Sequence, residues 1–345
     1  MRQKPSFTPE QAMKEVQKIF KQRGTEALKM ARKEILQEEF KSNEVRDALH
    51  YFMTQYWKDL ARPTLLSLTC EAVGGKPERT LPIAVPMILI SGGIDIHDDI
   101  IDDSRTKANR LTVYGKFGKD IALVAGDILL FKGLSLIGQS MEKGVSAVKL
   151  PTIIGIIQKL FFELADAEAL EYQCRAKVDT PPESYLKVLW RKAADVEAHT
   201  KMGAIIGGGT EIQVRELSQY GRLLGMLVLL RDDWLDTLDP EELGHRLKKE
   251  CPPLPVLYAA QDPQTKDRIL SILRNKSLAK IYAERILTLV QPRGFENAER
   301  FMAKTYTKAY SCLQKARCEE TYLKLFVVSQ LPSSREMREL TTTRS

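Results

Sequence analysis

The sequence predicts an all-α protein, and three observations support this fold class. Apolar residues recur every three or four positions through long stretches of the 345-residue chain, the spacing of one helix face. Glycine and proline are concentrated between these stretches, as expected of loops between antiparallel helices. Thr180-Pro181-Pro182-Glu183 carries a helix start signal, with Thr180 as the cap followed by proline and an acid in the first turn.

The helices and loops follow one another along the chain. The clearest helical stretches are Glu44 to Trp57, Ile121 to Ile137, Ile153 to Leu164 and Ala279 to Val290. The clearest loops are Gly74 to Pro77, Thr180 to Pro182, Cys251 to Pro253 and Gln291 to Gly294. Three glycines from Gly207 to Gly209 are interpreted as a helix break and not as a phosphate loop, because no strand precedes them.

No linker-like stretch divides the chain. We therefore predict one helical domain over residues 1–331, followed by a polar tail over 332–345 that is expected to be disordered.

Composition describes a globular protein, with 43% hydrophobic and 28% charged residues. The net charge is +7, but lysine and arginine are spread along the chain and no nucleic-acid-binding signature is present, so we expect no nucleic acid partner. Anionic substrates or lipid headgroups account for this charge, and peripheral membrane contact stays open.

Several features predict a cytoplasmic location. The five cysteines form no C-x-x-C pair and are expected to be reduced. The polar start of the chain lacks an apolar signal region, and the longest apolar run, Leu81 to Ile90, is too short to cross a bilayer. The cytoplasm is the default location for such a chain.

Two acid clusters with the same spacing lie within apolar helical patterns. They are Asp98-Asp99-Ile100-Ile101-Asp102 and Asp232-Asp233-Trp234-Leu235-Asp236. Carboxylates four residues apart share one helix face, and several of them on an apolar face need cations to neutralise them. Two such faces pointing at each other predict bound hard metal ions, with Mg²⁺ as the expected ion.

The motifs around these clusters are similar to those of the trans-isoprenyl diphosphate synthase family. The likeness includes Gly75-Lys76-Pro77-Glu78-Arg79, which matches a G-K-x-x-R loop, the first cluster with the residues to Asp127, and the second cluster. It covers roughly residues 20 to 330. The resemblance implies an all-α isoprenoid synthase-type bundle around a central cavity.

The resemblance also implies the roles of the acidic residues. Asp98, Asp102 and Asp232 would bind metal directly, and Asp236 would ligate it or orient ligands together with Asp99 and Asp233. These six residues form the predicted catalytic set with Lys192, which would grip an allylic prenyl diphosphate. The metals would stabilise the charge of the departing pyrophosphate.

In a chain-elongating enzyme, the resemblance implies that the second substrate, isopentenyl diphosphate, binds at Lys76 and Arg79. Here the chain departs from the family. Lys107-Ala108 replaces an arginine pair, leaving Lys107 and Arg110 as candidate substrate-binding residues, and Ser91 replaces a histidine. A shortened loop after the second cluster retains Lys248 and Lys249 as further candidates.

The chain-length pocket can also be placed by the resemblance. Bulky residues four and five positions before Asp98 stop elongation in the family, and this chain has Ile94 and Gly93 there, with Gly92 and Ser91 beyond. A floor without aromatic residues predicts a prenyl product of C20 or longer.

The resulting hypothesis is a Mg²⁺-dependent prenyltransferase that joins isopentenyl diphosphate to an allylic diphosphate.

 A terpene synthase of the same fold, which ionises a long prenyl diphosphate without isopentenyl diphosphate, is the main alternative. A catalytically silent subunit of a heteromeric prenyltransferase is a third hypothesis. The resemblance implies a homodimer.

Overall fold

The computed structural model describes residues 7–107, 109–274, 280–291, 293–333 and Glu336. Within these residues the regular secondary structure is helical apart from one two-stranded hairpin, which confirms the all-α prediction. The proposed tail beyond Pro332 lies mostly outside the described residues, and so does Ala108.

The helices of the first half of the chain lie between Pro9 and Met141. They are α1 Pro9–Leu36, α2 Asn43–Tyr51, a π-helical turn Phe52–Tyr56, α3 Ala61–Ala72, a 3₁₀ turn Pro77–Thr80, α4 Leu81–Ile101, α5 Val113–Phe117, α6 Lys119–Gly138 and a 3₁₀ turn Gln139–Met141. The hairpin between α4 and α5 pairs β1 Thr106–Lys107 with antiparallel β2 Arg110–Leu111.

The second half contains ten more helices among the described residues. They are α7 Leu150–Cys174, α8 Pro182–Lys192, α9 Ala194–Gly207, α10 Glu211–Leu238, α11 Pro240–Lys249, α12 Leu254–Ala259, α13 Pro263–Arg274, α14 Lys280–Val290, α15 Arg293–Ala316 and α16 Thr321–Ser329. The four predicted helical stretches lie in helices except for Trp57, which follows the π-helical turn, and Ala279, which lies outside the described residues. Helix α9 ends at the predicted glycine break. Helix α8 is capped by Pro181 and not by a Thr180 side chain, which corrects the predicted cap.

The chain divides into two compact units. One comprises residues 17–156 and 199–214, and the other comprises residues 1–16, 157–198 and 215–345. The prediction of a single domain over 1–331 stays a prediction.

In the unit that contains residues 17–156, α4 and α6 pack closely through glycines. A Cβ added at Gly93 would lie 2.7 Å from the carbonyl oxygen of Gly126, and one added at Gly133 would lie 2.8 Å from that of Pro86. Side chains are therefore excluded at these contacts, and the two helix backbones approach each other directly. This packing holds α4 in place, and α4 carries the first acid cluster at its C-terminal end.

In the unit that contains residues 215–345, α10 is the central helix and carries the second acid cluster. Trp234 is fully buried beside Asp233 and packs edge-on against Phe295, with ring centroids 4.7 Å apart. Its role in core packing agrees with the apolar pattern around the cluster.

Two helices are long and apolar enough to cross a membrane by length and composition, Pro77–Ile101 and Lys119–Met141. The short apolar run from Leu81 to Ile90 is thus part of a longer helix than the sequence indicated. Most of the first helix is buried within the protein, as in a core helix, whereas less than half of the second is. All five cysteines are free thiols, and the cytoplasmic location stays a prediction.

Candidate active site

The first acid cluster occupies the last two turns of α4. Asp95, Asp98, Asp99 and Asp102 follow one another at spacings of three, one and three residues, which places them on one side of the helix. Asp102 is the C-terminal cap, and its N–H donates to the carbonyl of Asp98. Carboxylates at a helix C-terminus face the negative end of the helix dipole. This cluster therefore needs positive charge from elsewhere.

Lys107 supplies part of that charge. Its Nζ lies 2.7 Å from Asp99 Oδ1 and 3.5 Å from Asp98 Oδ2. Strand β1 carries Lys107, and the hairpin is tied down by Thr112, whose hydroxyl donates to the Ser104 carbonyl at 2.9 Å. Sequence analysis assigned Lys107 to substrate binding, and the structure places it directly on the acid cluster.

Asp99 is the most enclosed of these carboxylates, with a side chain only 1% exposed. Burial raises the pKa of Asp99 to about 7, with Lys107 opposing the rise and Asp95 adding to it. Burial likewise raises the pKa of Asp95. Asp99 is thus a buried carboxylate that is paired with Lys107.

Asp95 was not predicted as a site residue. It lies one turn before Asp98 and Asp99, and the positive charges of Lys107 and Arg62 lower its pKa against the effect of burial. A sequence signal existed, because Asp95 and Asp99 are four residues apart on one helix face. Arg62, at the start of α3, was missed because only the tertiary fold brings it close to Asp95.

Aromatic side chains lie below the first cluster. A Cβ at Gly92 would lie 2.8 Å from the Phe52 ring and 3.6 Å from Trp57 Nε1, and these two rings stack with centroids 5.2 Å apart. The predicted floor without aromatics is therefore incorrect. Residues Ser91 to Ile94 are small or aliphatic, but the π-helical turn after α2 fills the space beside Gly92.

The other predicted pocket residues have different surroundings. Gly93 packs against α6 and not into open space, while Ser91 is buried, with no hydrogen bond to its hydroxyl among the described residues. Ile94 is half-buried. Of these four positions, Ser91 and Gly92 share the face of Asp95 at helical spacing, because they precede it by four and three residues.

The remaining hairpin arginines are held by the protein. Arg110 donates to the Gln55 carbonyl at 3.0 Å and lies over the Tyr56 ring. Arg105 donates to the Tyr114 hydroxyl at 3.0 Å. Arg110 thus lies beside the aromatic turn, and its role in substrate binding stays a prediction.

Lys76 and Arg79 lie at the opposite end of α4 from the first cluster. The helix begins at Leu81, after Arg79, and 1.5 Å per residue puts about 25 Å between Leu81 and Asp98. A substrate bound at Lys76 and Arg79 cannot react at that cluster. The assignment of these two residues to the acceptor site is corrected on this ground: the G-K-x-x-R spacing occurs here in a loop that the fold places far from the carboxylates.

The second acid cluster contains a buried arginine that sequence analysis did not identify. Arg246 on α11 lies 2.9 Å from Asp233 Oδ1 and 2.7 Å from Asp236 Oδ2. It also contacts Glu250, at 2.9 Å, and donates to the Tyr185 hydroxyl at 3.0 Å. The guanidinium therefore neutralises much of the cluster.

These contacts separate the roles of the three aspartates. Asp233 accepts bonds at both oxygens, from Arg246 and Tyr185 at Oδ1 and from the Leu254 N–H at Oδ2. Both oxygens of Asp233 are thus bonded to neighbouring protein groups, and its predicted catalytic role stays a prediction. Asp236 has one oxygen bound to Arg246.

Asp232 is exposed and forms no ion pair with any residue that the structure describes. The surrounding protein raises the pKa of Asp232 to about 7, and the charges of Asp236 and Asp233 add to the rise. Among the three carboxylates, Asp232 is the one most available to a ligand. The prediction that the two clusters face each other stays a prediction.

Lys192 is paired with acids of its own unit. Its Nζ lies 2.9 Å from Glu168 Oε1 and also contacts Glu171. Its predicted grip on an allylic diphosphate would require that these pairs open. Lys248 and Lys249 are exposed on the last turn of α11, and their substrate role stays a prediction.

No group of three or more His, Cys, Asp or Glu side chains is arranged to hold a metal ion within the described parts of the chain. Mg²⁺ is commonly bound by one or two carboxylates together with substrate phosphates, and not by a complete protein cage. Asp98 and Asp102 on one unit supply hard oxygen donors of the kind that such partial sites use, and Asp232 supplies another on the other unit.

An all-α fold with acid rows on two of its helices defines the class of the isoprenoid synthases. Solved structures with this fold include geranylgeranyl pyrophosphate synthetase from Pyrococcus horikoshii, with a TM-score of 0.77, 24% identity and coverage of 91% of this chain and 97% of that one. A polyprenyl synthetase from Streptomyces coelicolor superposes with a TM-score of 0.78 at 20% identity, covering 91% and 98%.

Sequence comparison identifies the family. The polyprenyl synthetase family model matches residues 42–290. A short chain isoprenyl diphosphate synthase from Methanothermobacter thermautotrophicus is 30% identical over 72% of this chain and 74% of its own length. A geranylgeranyl diphosphate synthase from Sulfolobus acidocaldarius is 26% identical, covering 78% and 83%. The chain belongs to the polyprenyl synthetase family, whose members are prenyltransferases.

Proposed function

We propose that this protein condenses isopentenyl diphosphate with an allylic prenyl diphosphate in a Mg²⁺-dependent reaction. The observation that carries the proposal is the first acid cluster, where Asp98 and Asp102 lie one turn apart at the end of α4 with Lys107 beside them. Relatives named as prenyl diphosphate synthases support the same reaction class.

Asp98 and Asp102 would hold Mg²⁺ at the first cluster, and Asp232 would hold it at the second. The metal, when bound, would stabilise the negative charge that develops on the departing pyrophosphate. Asp99 would position Lys107, and Arg246 would keep Asp233 and Asp236 in place beside Asp232. The aromatic residues Phe52 and Trp57 would exclude water from the prenyl chain of the substrate.

Cationic side chains near the first cluster are the candidates for binding diphosphate. Arg62 lies close enough to Asp95 to lower its pKa, and Arg110 lies beside Tyr56. We propose that Arg62 and Arg110 take the place in acceptor binding that was expected of Lys76 and Arg79. Their charges are on the same unit and at the same end of α4 as Asp98.

The product is proposed to be C20 or longer. None of the residues from Ser91 to Ile94 is aromatic, and the Phe52 ring, which packs against Gly92, is the proposed floor of the pocket. Relatives that make geranylgeranyl and octaprenyl diphosphate occur among the similar proteins.

A homodimer is proposed from the exposed surface of α6. Leu123, Val124, Phe131 and Leu134 are exposed on this helix, and Phe131 is 79% exposed. An apolar face of this kind marks an association surface. A second copy of the chain is the proposed occupant, and peripheral membrane contact is the alternative outcome of the same test.

The reaction is tested by incubating the purified protein with Mg²⁺ and labelled farnesyl or geranylgeranyl diphosphate, with and without isopentenyl diphosphate. Longer diphosphates that form only with the acceptor support the proposal. Hydrocarbon or alcohol formed without the acceptor would instead identify a terpene synthase. No product in either arm, with restored activity on adding a related synthase, would identify a silent subunit.

A further inference from the structure

Each acid cluster has a cation of its own, and the two cations are held differently. Arg246 is 10% exposed and bonded to Asp233, Asp236, Glu250 and Tyr185. Lys107 is 40% exposed and contacts two carboxylates. An arginine with several bonds inside the protein is fixed, whereas a partly exposed lysine on a flexible stem can move.

The two contacts of Lys107 are unequal. The 2.7 Å contact is with Asp99, which is buried, and the 3.5 Å contact is with Asp98, which is 28% exposed. The ammonium is therefore anchored on Asp99 and only loosely on Asp98. Burial alone would lower the pKa of Lys107, but the charges of Asp98, Asp95 and Asp99 raise it well above its ordinary value, so the ammonium stays charged.

We propose that Lys107 is an exchangeable counter-ion of the first cluster, which competes with the metal for Asp98. The inference rests on the proposed function, because it requires Asp98 to bind metal. In the free protein Lys107 neutralises Asp98 and lowers the affinity for a divalent cation. When metal and diphosphate bind together, the diphosphate offers the ammonium another anion, and Asp98 is left to the metal.

The exchange couples the two ligands. A diphosphate that draws Lys107 from Asp98 raises the affinity for metal, and by linkage the metal raises the affinity for diphosphate by the same factor. Removal of the ammonium should therefore strengthen metal binding in the free protein and weaken the synergy between metal and diphosphate.

The experiment measures Mn²⁺ binding to the full chain by calorimetry, with and without inorganic pyrophosphate. Lys107→Gln should raise the affinity for Mn²⁺ alone by about tenfold and remove most of the gain that pyrophosphate gives the wild type. Lys107→Arg keeps the charge and should stay near wild type. Lys119→Gln, an exposed residue at the start of α6, is the matched control and should change neither value.

The variants separate this proposal from the proposed function. Asp98→Asn should abolish Mn²⁺ binding at this site, and retention of that binding would refute the metal assignment itself. Asp98-dependent binding that is unchanged by Lys107→Gln would overturn the counter-ion proposal alone. An equal gain in Lys107→Arg would also overturn it, because charge would then not be the cause.

Discussion

Arg246 and Asp233 lie 2.9 Å apart inside the second acid cluster, and neither side chain is more than 10% exposed. The same guanidinium contacts Asp236 at 2.7 Å. A guanidinium cannot be deprotonated in proteins, so the charge is permanent. Two of the three second-cluster carboxylates therefore have a fixed partner before any substrate arrives.

Removal of this arginine should destabilise the protein strongly. Arg246→Met leaves Asp233 buried without its cation, and we expect the free energy of unfolding to fall by about 3–5 kcal/mol. Urea denaturation measures this loss. Arg268→Gln, an exposed residue on α13, is the control and should change stability by less than about 0.5 kcal/mol. A small effect of Arg246→Met would contradict the buried network.

The raised pKa of Asp99 predicts a pH-dependent stability. The folded carboxyl has a pKa of about 7 and an ordinary Asp about 4, so the folded state binds an extra proton between these values. Its contribution is present at low pH and is lost as pH rises towards 7 and above. Asp99→Asn should gain stability relative to wild type by roughly 1–4 kcal/mol between pH 5 and pH 8, measured in EDTA. A difference that does not change with pH would contradict the prediction.

The close contact of α4 and α6 predicts the effect of adding a methyl group. Gly93→Ala would place Cβ 2.7 Å from the Gly126 carbonyl oxygen, and overpacking of this kind should cost about 1–3 kcal/mol. Gly138→Ala, at the end of the same α6, meets nothing within 4 Å and should stabilise by about 0.4–1 kcal/mol. Equal effects of the two variants on the free energy of unfolding, measured by urea denaturation, would show that the contact between α4 and α6 does not exclude a side chain.

Phe52 should limit product length. Phe52→Leu and Phe52→Ala enlarge the space beside Gly92 in two steps, and we expect the mean chain length of the products to increase in the same order. Chromatography of the dephosphorylated products measures it. Because loss of a buried aromatic also weakens the fold, thermal melts must show that both variants are folded; folded variants with wild-type products would refute the assignment.

Self-association through α6 should depend on Phe131. Phe131→Glu puts a charge into the centre of the exposed apolar face, and we expect the protein to sediment as a monomer while remaining folded. Glu142→Gln, on the exposed turn after α6, is the control. An unchanged dimer, or a monomeric wild type that binds lipid vesicles through this face, would overturn the homodimer proposal.

The spacing of the acid clusters was sufficient to predict their helices and shared faces, because carboxylates three and four residues apart lie together whatever surrounds them. The partners could not be predicted in this way. Arg246 reaches Asp233 and Asp236 only because α11 folds back after α10, and a basic residue ten positions later gives no signal of that turn. For Lys76 and Arg79 the outcome is the reverse. Their spacing matches the family's G-K-x-x-R loop, but they precede the N-terminal end of α4, whereas the carboxylates lie at its C-terminal end.

The π-helical turn from Phe52 to Tyr56 has a further consequence. It supplies the aromatic rings beneath the carboxylates, while α4 supplies the carboxylates themselves. Under the proposed function, the choice of prenyl chain length and the leaving-group chemistry would therefore depend on separate stretches of polypeptide, so that substitutions in the first could change product length without altering the second.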